Sequence, residues 1–156
     1  MVDQHQHRPS APHALPATTH SYLMRAAESL SEAVAARDVP TRYACAHVAA
    51  LRAAAALLAA RARPEAARPG ARRRHQKNAW VLLTEVAPEL AEWAVYFAAG
   101  AGKRAAAEAG STRAVTDREA DDLVREADRF LAVVEQALGL VPHVPVGNRL
   151  AGRAAG

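Results

Sequence analysis

The feature that most constrains this chain is a spacing. Between residues 80 and 97 the apolar positions Trp80, Leu83, Ala87, Leu90, Ala94 and Phe97 advance in alternating steps of three and four. An α-helix turns once in about 3.6 residues, so this step lays one buried stripe along a helix. The same step returns at Ala120, Leu123, Ala127, Phe130, Val134 and Ala137. Runs of Val, Ile and Thr alternating with period two, which a half-buried strand requires, are missing. An all-α fold follows. Hydrophobic residues make up 51% of the chain, yet only 4% of residues are aromatic, because most of the apolar share is alanine. Alanine is the best helix former and contributes little transfer energy when buried. The core is therefore expected from close helix approach rather than from large side chains.

Four helical segments can be placed, and an antiparallel, up-and-down four-helix bundle is the expected arrangement. The first runs over about 20–37 after a Thr18/Thr19 cap, with Leu23, Ala27, Leu30 and Val34 on one face. The second runs over about 41–62, restarting at Val39-Pro40-Thr41 and stopping before Pro64. Its best-fitting apolar stripe is Ala44, Val48, Leu51, Ala55 and Leu58, with an alanine face (Ala46, Ala49, Ala53, Ala60) elsewhere on it. That face would let another helix come close, from the same bundle or from a second copy. The third segment begins near Asn78 and ends at Gly110, either kinked at Pro88 or restarted there. The fourth opens with the capping box Thr116-Asp117-Arg118-Glu119 and stops at Gly139. Residues 1–18 and 141–156 read as disordered tails around one domain over 19–140.

A single cysteine, Cys45, excludes an intramolecular disulfide framework and a Cys-rich zinc site. Charges interrupt the Ala/Leu runs before the length of a membrane span, and the first 20 residues lack the apolar core of a secretory signal. A cytoplasmic protein with no membrane contact is expected. A net charge of +4 permits an acidic partner without requiring one.

The second helix reads Thr41-Arg-Tyr-Ala-Cys-Ala-His-Val-Ala-Ala-Leu-Arg-Ala-Ala-Ala-Ala-Leu-Leu58. It is similar to the small-residue helix carrying an Arg, a Tyr and a His in many HEPN proteins. The stretches WVLLTEVAPELAEWAVYFAAGAGKRAAAEAG (80–110) and TDREADDLVREADRFLAVVEQALG (116–139) resemble a small stand-alone HEPN family of high-GC bacteria. The resemblance spans about 20–140 and implies a four-helix fold, frequent homodimerisation and a link to RNA, nucleotide or a protein partner. It also implies two possible fates. Many HEPN proteins are metal-independent ribonucleases using an Arg and a His with four to six residues between them at a dimer cleft; others are binding or scaffold modules.

Arg42 and His47 match that spacing. An arginine can stabilise the charge of a phosphorane-like transition state while a histidine exchanges a proton. The same spacing recurs at Arg8–His13 and Arg68–His75, as chance allows in a chain this rich in arginine. In the family the catalytic pair opens the last helix, which here contains no histidine, and positions five apart on a helix diverge by about 140°. Arg42 and His47 are thus either a catalytic pair or packing and interface groups. The phosphate-contact candidates are Arg68, Arg72, Arg73, Arg74 and Lys77, in a 63–77 stretch with one acid against six basic residues. Without interleaved aromatics, that contact would be non-specific and salt-sensitive. Glu85, Glu89 and Glu92 form a carboxylate stripe that reads as a solvated face, no metal or cofactor is expected, and Phe97–Arg104 fails as a P-loop. Cys45 and His47 point apart and form no nucleophile–base dyad. His5 and His7 read as inert. The leading expectation is a binding HEPN module without clear catalytic machinery; the alternatives are a ribonuclease and a pure interaction scaffold.

Overall fold

The computed structural model of the chain describes residues 14–62 and 78–146. Among them all regular structure is helical. Helix α1 spans Ala17–Ala35 and α2 spans Val39–Ala60. The third sequence segment is three pieces: α3 (Ala79–Val86), a 3-10 turn at Pro88–Leu90 leading into α4 (Ala91–Ala99), and α5 (Ala101–Glu108). Helix α6 spans Asp117–Ala137.

Each break has a local cause. Asp38 caps α2, its carboxylate accepting from the Thr41 amide at 2.9 Å, so the helix starts at Val39 with Pro40 in its first turn. Asn78 caps α3 through the Trp80 amide at 3.0 Å. Ala87 is then pushed out of the helical region (φ −134°, ψ 71°) by the ring of Pro88, and a new turn starts on the proline. The further break at Gly100 was not foreseen from the sequence. A Cβ there would lie 2.7 Å from the Tyr43 hydroxyl of α2, so a larger residue would force that side chain to shift. Both halves of the capping box are formed: the Glu119 amide donates to Thr116 Oγ1 at 3.1 Å, and the Thr116 amide donates to the Glu119 carboxylate at 2.8 Å. The cap expected at Thr18/Thr19 is absent. Pro16 precedes α1 with no side-chain cap, and Thr19 lies inside the helix, buried, its hydroxyl donating to the Ala56 carbonyl at 3.2 Å.

Helix α2 is the axis of the molecule: α1, α3, α5 and α6 all pack on it. Side-chain contacts fix α1 and α2 as antiparallel, since Thr19 meets Ala56, Ser29 meets Arg52 and Glu32 meets Cys45. The stripe expected to be buried on α2 (Ala44, Val48, Leu51, Ala55, Leu58) is only half-buried. The core side is instead Ala46, Ala49, Ala50, Ala53, Ala54, Ala56 and Leu57. Hydrophobicity misranks these faces because a central helix must admit neighbours closely on several sides, which favours small residues over leucine. By length and composition α2 would also cross a membrane, contrary to the sequence expectation for this stretch, but half of the relevant window is buried inside the fold.

The seam of the third segment is buried throughout: Trp80, Leu83, Ala87, Leu90, Ala94 and Phe97. Its aromatics gather with those of α6. Trp80 stacks on Phe97 with centroids 5.2 Å apart, Phe97 lies 5.2 Å from Phe130, and Trp93 lies 5.5 Å from Phe130. Both tryptophans and both phenylalanines of the chain thus share one cluster, which adds offset-stacking energy to an alanine-built core. On α6, Ala120, Leu123, Ala127, Phe130 and Val134 are buried, whereas Ala137, at the end of that stripe, is exposed.

Residues 141–146 depart from the tail expected over 141–156. Gly139 takes φ +76°, reversing the backbone, and residues 140–146 lie back along α6.

The alanine packing predicts an asymmetry. Ala50→Leu should destabilise the fold by about 1–3 kcal/mol through overpacking, whereas Ala105→Leu on an exposed face should change stability by no more than about 0.5 kcal/mol. Urea unfolding of the two variants measures the difference.

Candidate functional site

Helix α2 carries both members of the Arg/His pair, and the fold sends them to different places. Arg42 is 8% exposed. Its Nη1 donates to Asp117 Oδ1 at 2.5 Å and to Asp121 Oδ1 at 2.9 Å, while Nη2 reaches the Arg37 carbonyl at 3.4 Å. Asp117 opens α6 and Asp121 lies one turn on, where carboxylates also favour the positive end of the helix. The guanidinium therefore joins the N-terminal ends of α2 and α6. Only Nε lacks a partner, and it is buried.

His47 is 1% exposed. Its Nε2 lies 2.9 Å from the Phe97 carbonyl oxygen, which can only accept, so Nε2 carries the proton and Nδ1 is left with an unpartnered lone pair. The ring sits edge-on to Trp80 (6.1 Å) and to Phe97 (6.3 Å). Burial lowers its pKa, against the raising effect of the Phe97 hydrogen bond; nearby Arg104 lowers it further and Glu108 raises it. The ring is neutral and its working nitrogens are inside the bundle. The structure thus places Arg42 and His47 on one helix without bringing their polar ends together.

Around them stand groups to which the sequence assigned no role. Tyr43 is buried against Gly100, and burial raises its hydroxyl pKa. Lys103 of α5 pairs with Glu119 of the capping box at 2.5 Å, joining α5 to α6 at the surface. Arg52 donates to Ser29 at 2.5 Å and to the Arg25 carbonyl at 3.2 Å. A separate cluster joins Asp128, Glu135 and His143: His143 Nε2 is 2.5 Å from Asp128 Oδ1, and its Nδ1 is hydrogen-bonded to Glu135. One sequence signal for it existed. Asp121, Asp128 and Glu135 are each seven residues apart, so they share a stripe on α6, and Asp128 falls between the core residues Ala127 and Leu131.

The remaining sequence candidates are placed as follows. Arg68, Arg72, Arg73, Arg74 and Lys77, and likewise His5, His7, His13 and His75, lie outside the described residues. Glu85, Glu89 and Glu92 do not share one helix, since the Pro88 break separates them; Glu89 pairs with Arg61 at 2.7 Å. No grouping of carboxylate, His and Cys suited to a metal occurs among the described residues. Cys45 is half-buried beside Glu32, and burial together with that carboxylate raises its pKa, so it stays a thiol. Phe97–Arg104 forms the α4–α5 junction.

An all-helical module built on a central small-residue helix, with its Arg and His turned inward, is what these elements define. Over residues 33–135, more than half of the chain, the sequence matches the model of a HEPN-like family, and the protein belongs to that HEPN family. No curated protein and no solved structure matches the chain. The family match ends at Glu135, so His143 lies beyond it.

Two outcomes follow from this geometry. Because the folded state holds His47 neutral, the unfolded chain binds the extra proton below the ordinary imidazole value of 6.5. Stability from this group is complete above 6.5 and falls as pH drops below it, with a slope approaching about 1.4 kcal/mol per pH unit. The stability difference between wild type and His47→Gln should therefore shrink from pH 7 to 5, and a flat difference in urea unfolding would contradict the buried neutral ring. Arg42→Met should cost about 1–3 kcal/mol, tempered because Asp117 can rehydrate. Thermal unfolding of that variant should show the loss diminishing when Asp117→Asn and Asp121→Asn are added.

Proposed function

We propose that this HEPN protein is a binding module rather than a nuclease, acting as a cytoplasmic homodimer that contacts RNA or nucleotide phosphates. The observation that carries this reading is the fate of Arg42 and His47. Catalysis would need an arginine free to meet phosphoryl charge and a histidine able to exchange a proton with substrate. Here the Arg42 guanidinium is held by two aspartates and the His47 ring is 1% exposed on a backbone carbonyl.

The phosphate contacts are assigned in this reading to Arg68, Arg72, Arg73, Arg74 and Lys77, between α2 and α3. Its support is charge density: six basic residues against one acid in fifteen positions. Dimerisation doubles that charge, and the exposed apolar side chains Val81, Val95 and Tyr96 on α3 and α4 are suitable contact material for a second copy. In the same reading α3, the 3-10 turn, α4 and α5 together serve as the third arm of an up-and-down four-helix bundle.

Binding of single-stranded RNA should weaken with salt, log K against log salt having a slope of about −2 to −3. Replacing Arg72, Arg73 and Arg74 by alanine should reduce that slope by about 2. Salt-independent binding, or binding indifferent to the triple substitution, removes the phosphate assignment and leaves a protein-interaction scaffold. In metal-free buffer, wild type and His47→Gln should leave RNA equally intact. Cleavage by wild type that a folded His47→Gln chain has lost would instead establish the ribonuclease using Arg42 and His47.

A further inference from the structure

The cluster at the end of α6 has no part in that reading. His143 sits on a strap, residues 140–146, that runs back over α6 after the turn at Gly139. Each ring nitrogen faces a carboxylate: Nε2 meets Asp128 Oδ1 at 2.5 Å and Nδ1 meets Glu135. Carboxylates only accept, so two such bonds require both ring nitrogens protonated, an imidazolium between two anions. The backbone follows the ring. The His143 amide donates to Glu135 Oε2 at 3.2 Å, and the Val146 amide donates to Asp128 Oδ2 at 3.1 Å.

With the strap in place, Asp128 is 6% exposed. A carboxylate at that depth is costly unless each oxygen has a donor, and its two donors come from His143 and Val146. His143 and Val146 also line an open groove of about 210 Å³, together with Leu23, Ala27, Leu30 and Ser31 of α1 and Leu131 of α6. Nothing titratable from α1 lines it, so among the described residues the charged groups facing the ring are Asp128 and Glu135.

We infer that residues 140–146 form a proton-controlled latch: the His143 imidazolium, clamped between Asp128 and Glu135, holds the strap over the α1–α6 groove, and loss of its proton releases the strap. Burial of the ring works against the charge, but the hydrogen bonds to Asp128 and Glu135 outweigh it and raise the pKa above the ordinary 6.5. The sign follows. A raised pKa means that closure is fully supported below 6.5 and is lost as pH climbs through the ring's own midpoint. On deprotonation one nitrogen loses its hydrogen, one carboxylate faces a lone pair, and Asp128 keeps only Val146. An open strap uncovers Leu23, Leu30 and Leu131.

The test follows the ring of His143 and the exchange of the Val146 amide in the full chain by NMR, from about pH 5 to 9. Both ring protons should persist above 6.5. From there to the ring's midpoint, protection of Val146 should fall about tenfold per pH unit beyond the ordinary base-catalysed rise, then level off, while α2 amides stay protected. His143→Gln should leave Val146 weakly protected at every pH, and Glu135→Gln should move the ring's midpoint down. The latch is overturned by a ring titrating at or below 6.5 or by Val146 protection that ignores pH. It is equally overturned by pH dependence surviving in His143→Gln, or by α2 amides opening in step with the strap.

Discussion

Everything in this fold depends on how closely other helices can approach α2. Its inner positions are Ala46, Ala49, Ala50, Ala53, Ala54 and Ala56, side chains that let neighbouring backbones come to the short end of the range for packed helices. Buried alanine contributes little transfer energy, so cohesion at α2 comes from the number of atoms in contact rather than from apolar area. The missing bulk is concentrated elsewhere, where Trp80, Trp93, Phe97 and Phe130 stack beside the axis. An alanine axis and an aromatic wedge are complementary solutions to one packing problem.

A helix surrounded on several sides imposes a rule on its polar residues: those that cannot reach water must find partners inside. Arg42 takes two aspartates of α6 and His47 takes the Phe97 carbonyl, while half-exposed Arg52 reaches Ser29 and the Arg25 carbonyl of α1. Each bond ties α2 to a different neighbour, so the polar groups specify the arrangement that the featureless alanine surface leaves open. Groups that resemble an active-site pair by spacing are thereby turned into fasteners. The five-residue interval aims them at different neighbours, one toward α6 and one toward α4.

How much of this was legible in the sequence depended on contrast. The seam from Trp80 to Phe97 and the stripe from Ala120 to Val134 set large apolar groups against charged ones, so their faces could be read directly. The capping box at Thr116–Glu119 and the break at Pro88 are local chemistry and needed no tertiary knowledge. In α2 the contrast vanishes: nearly every residue is small or apolar, and a ranking by hydrophobicity selected Leu51 and Leu58 where the fold buries alanine. Gly100 was opaque for another reason. The close approach there is to Tyr43, 57 positions earlier in the chain, a contact that no local pattern encodes. His143 lies between Pro142 and Pro145 in a stretch that composition marks as tail, and its partners declare themselves only as a seven-residue rhythm of acids on α6. The stretch holding the phosphate-contact candidates lies outside the described residues, so for that part of the site charge composition is the whole argument.

Buried His47 and half-buried His143 show how one residue type can be set to opposite states by its surroundings. His47 meets a carbonyl and aromatic edges, a setting that offers nothing to balance a positive charge, so it is held neutral and its contribution fails from the acid side. His143 meets two carboxylates that need its charge, so its contribution fails from the alkaline side. The two contributions meet at the ordinary imidazole value of 6.5, the first declining below it and the second above it. The consequences are unequal because of position. His47 is on the axis, where protonation would strain the whole bundle. His143 is on a strap beyond the family's matched region, where losing its proton frees seven residues and leaves α2 and its neighbours as they are. A titration at the centre of a fold acts on stability, whereas the same titration at its edge can act on shape.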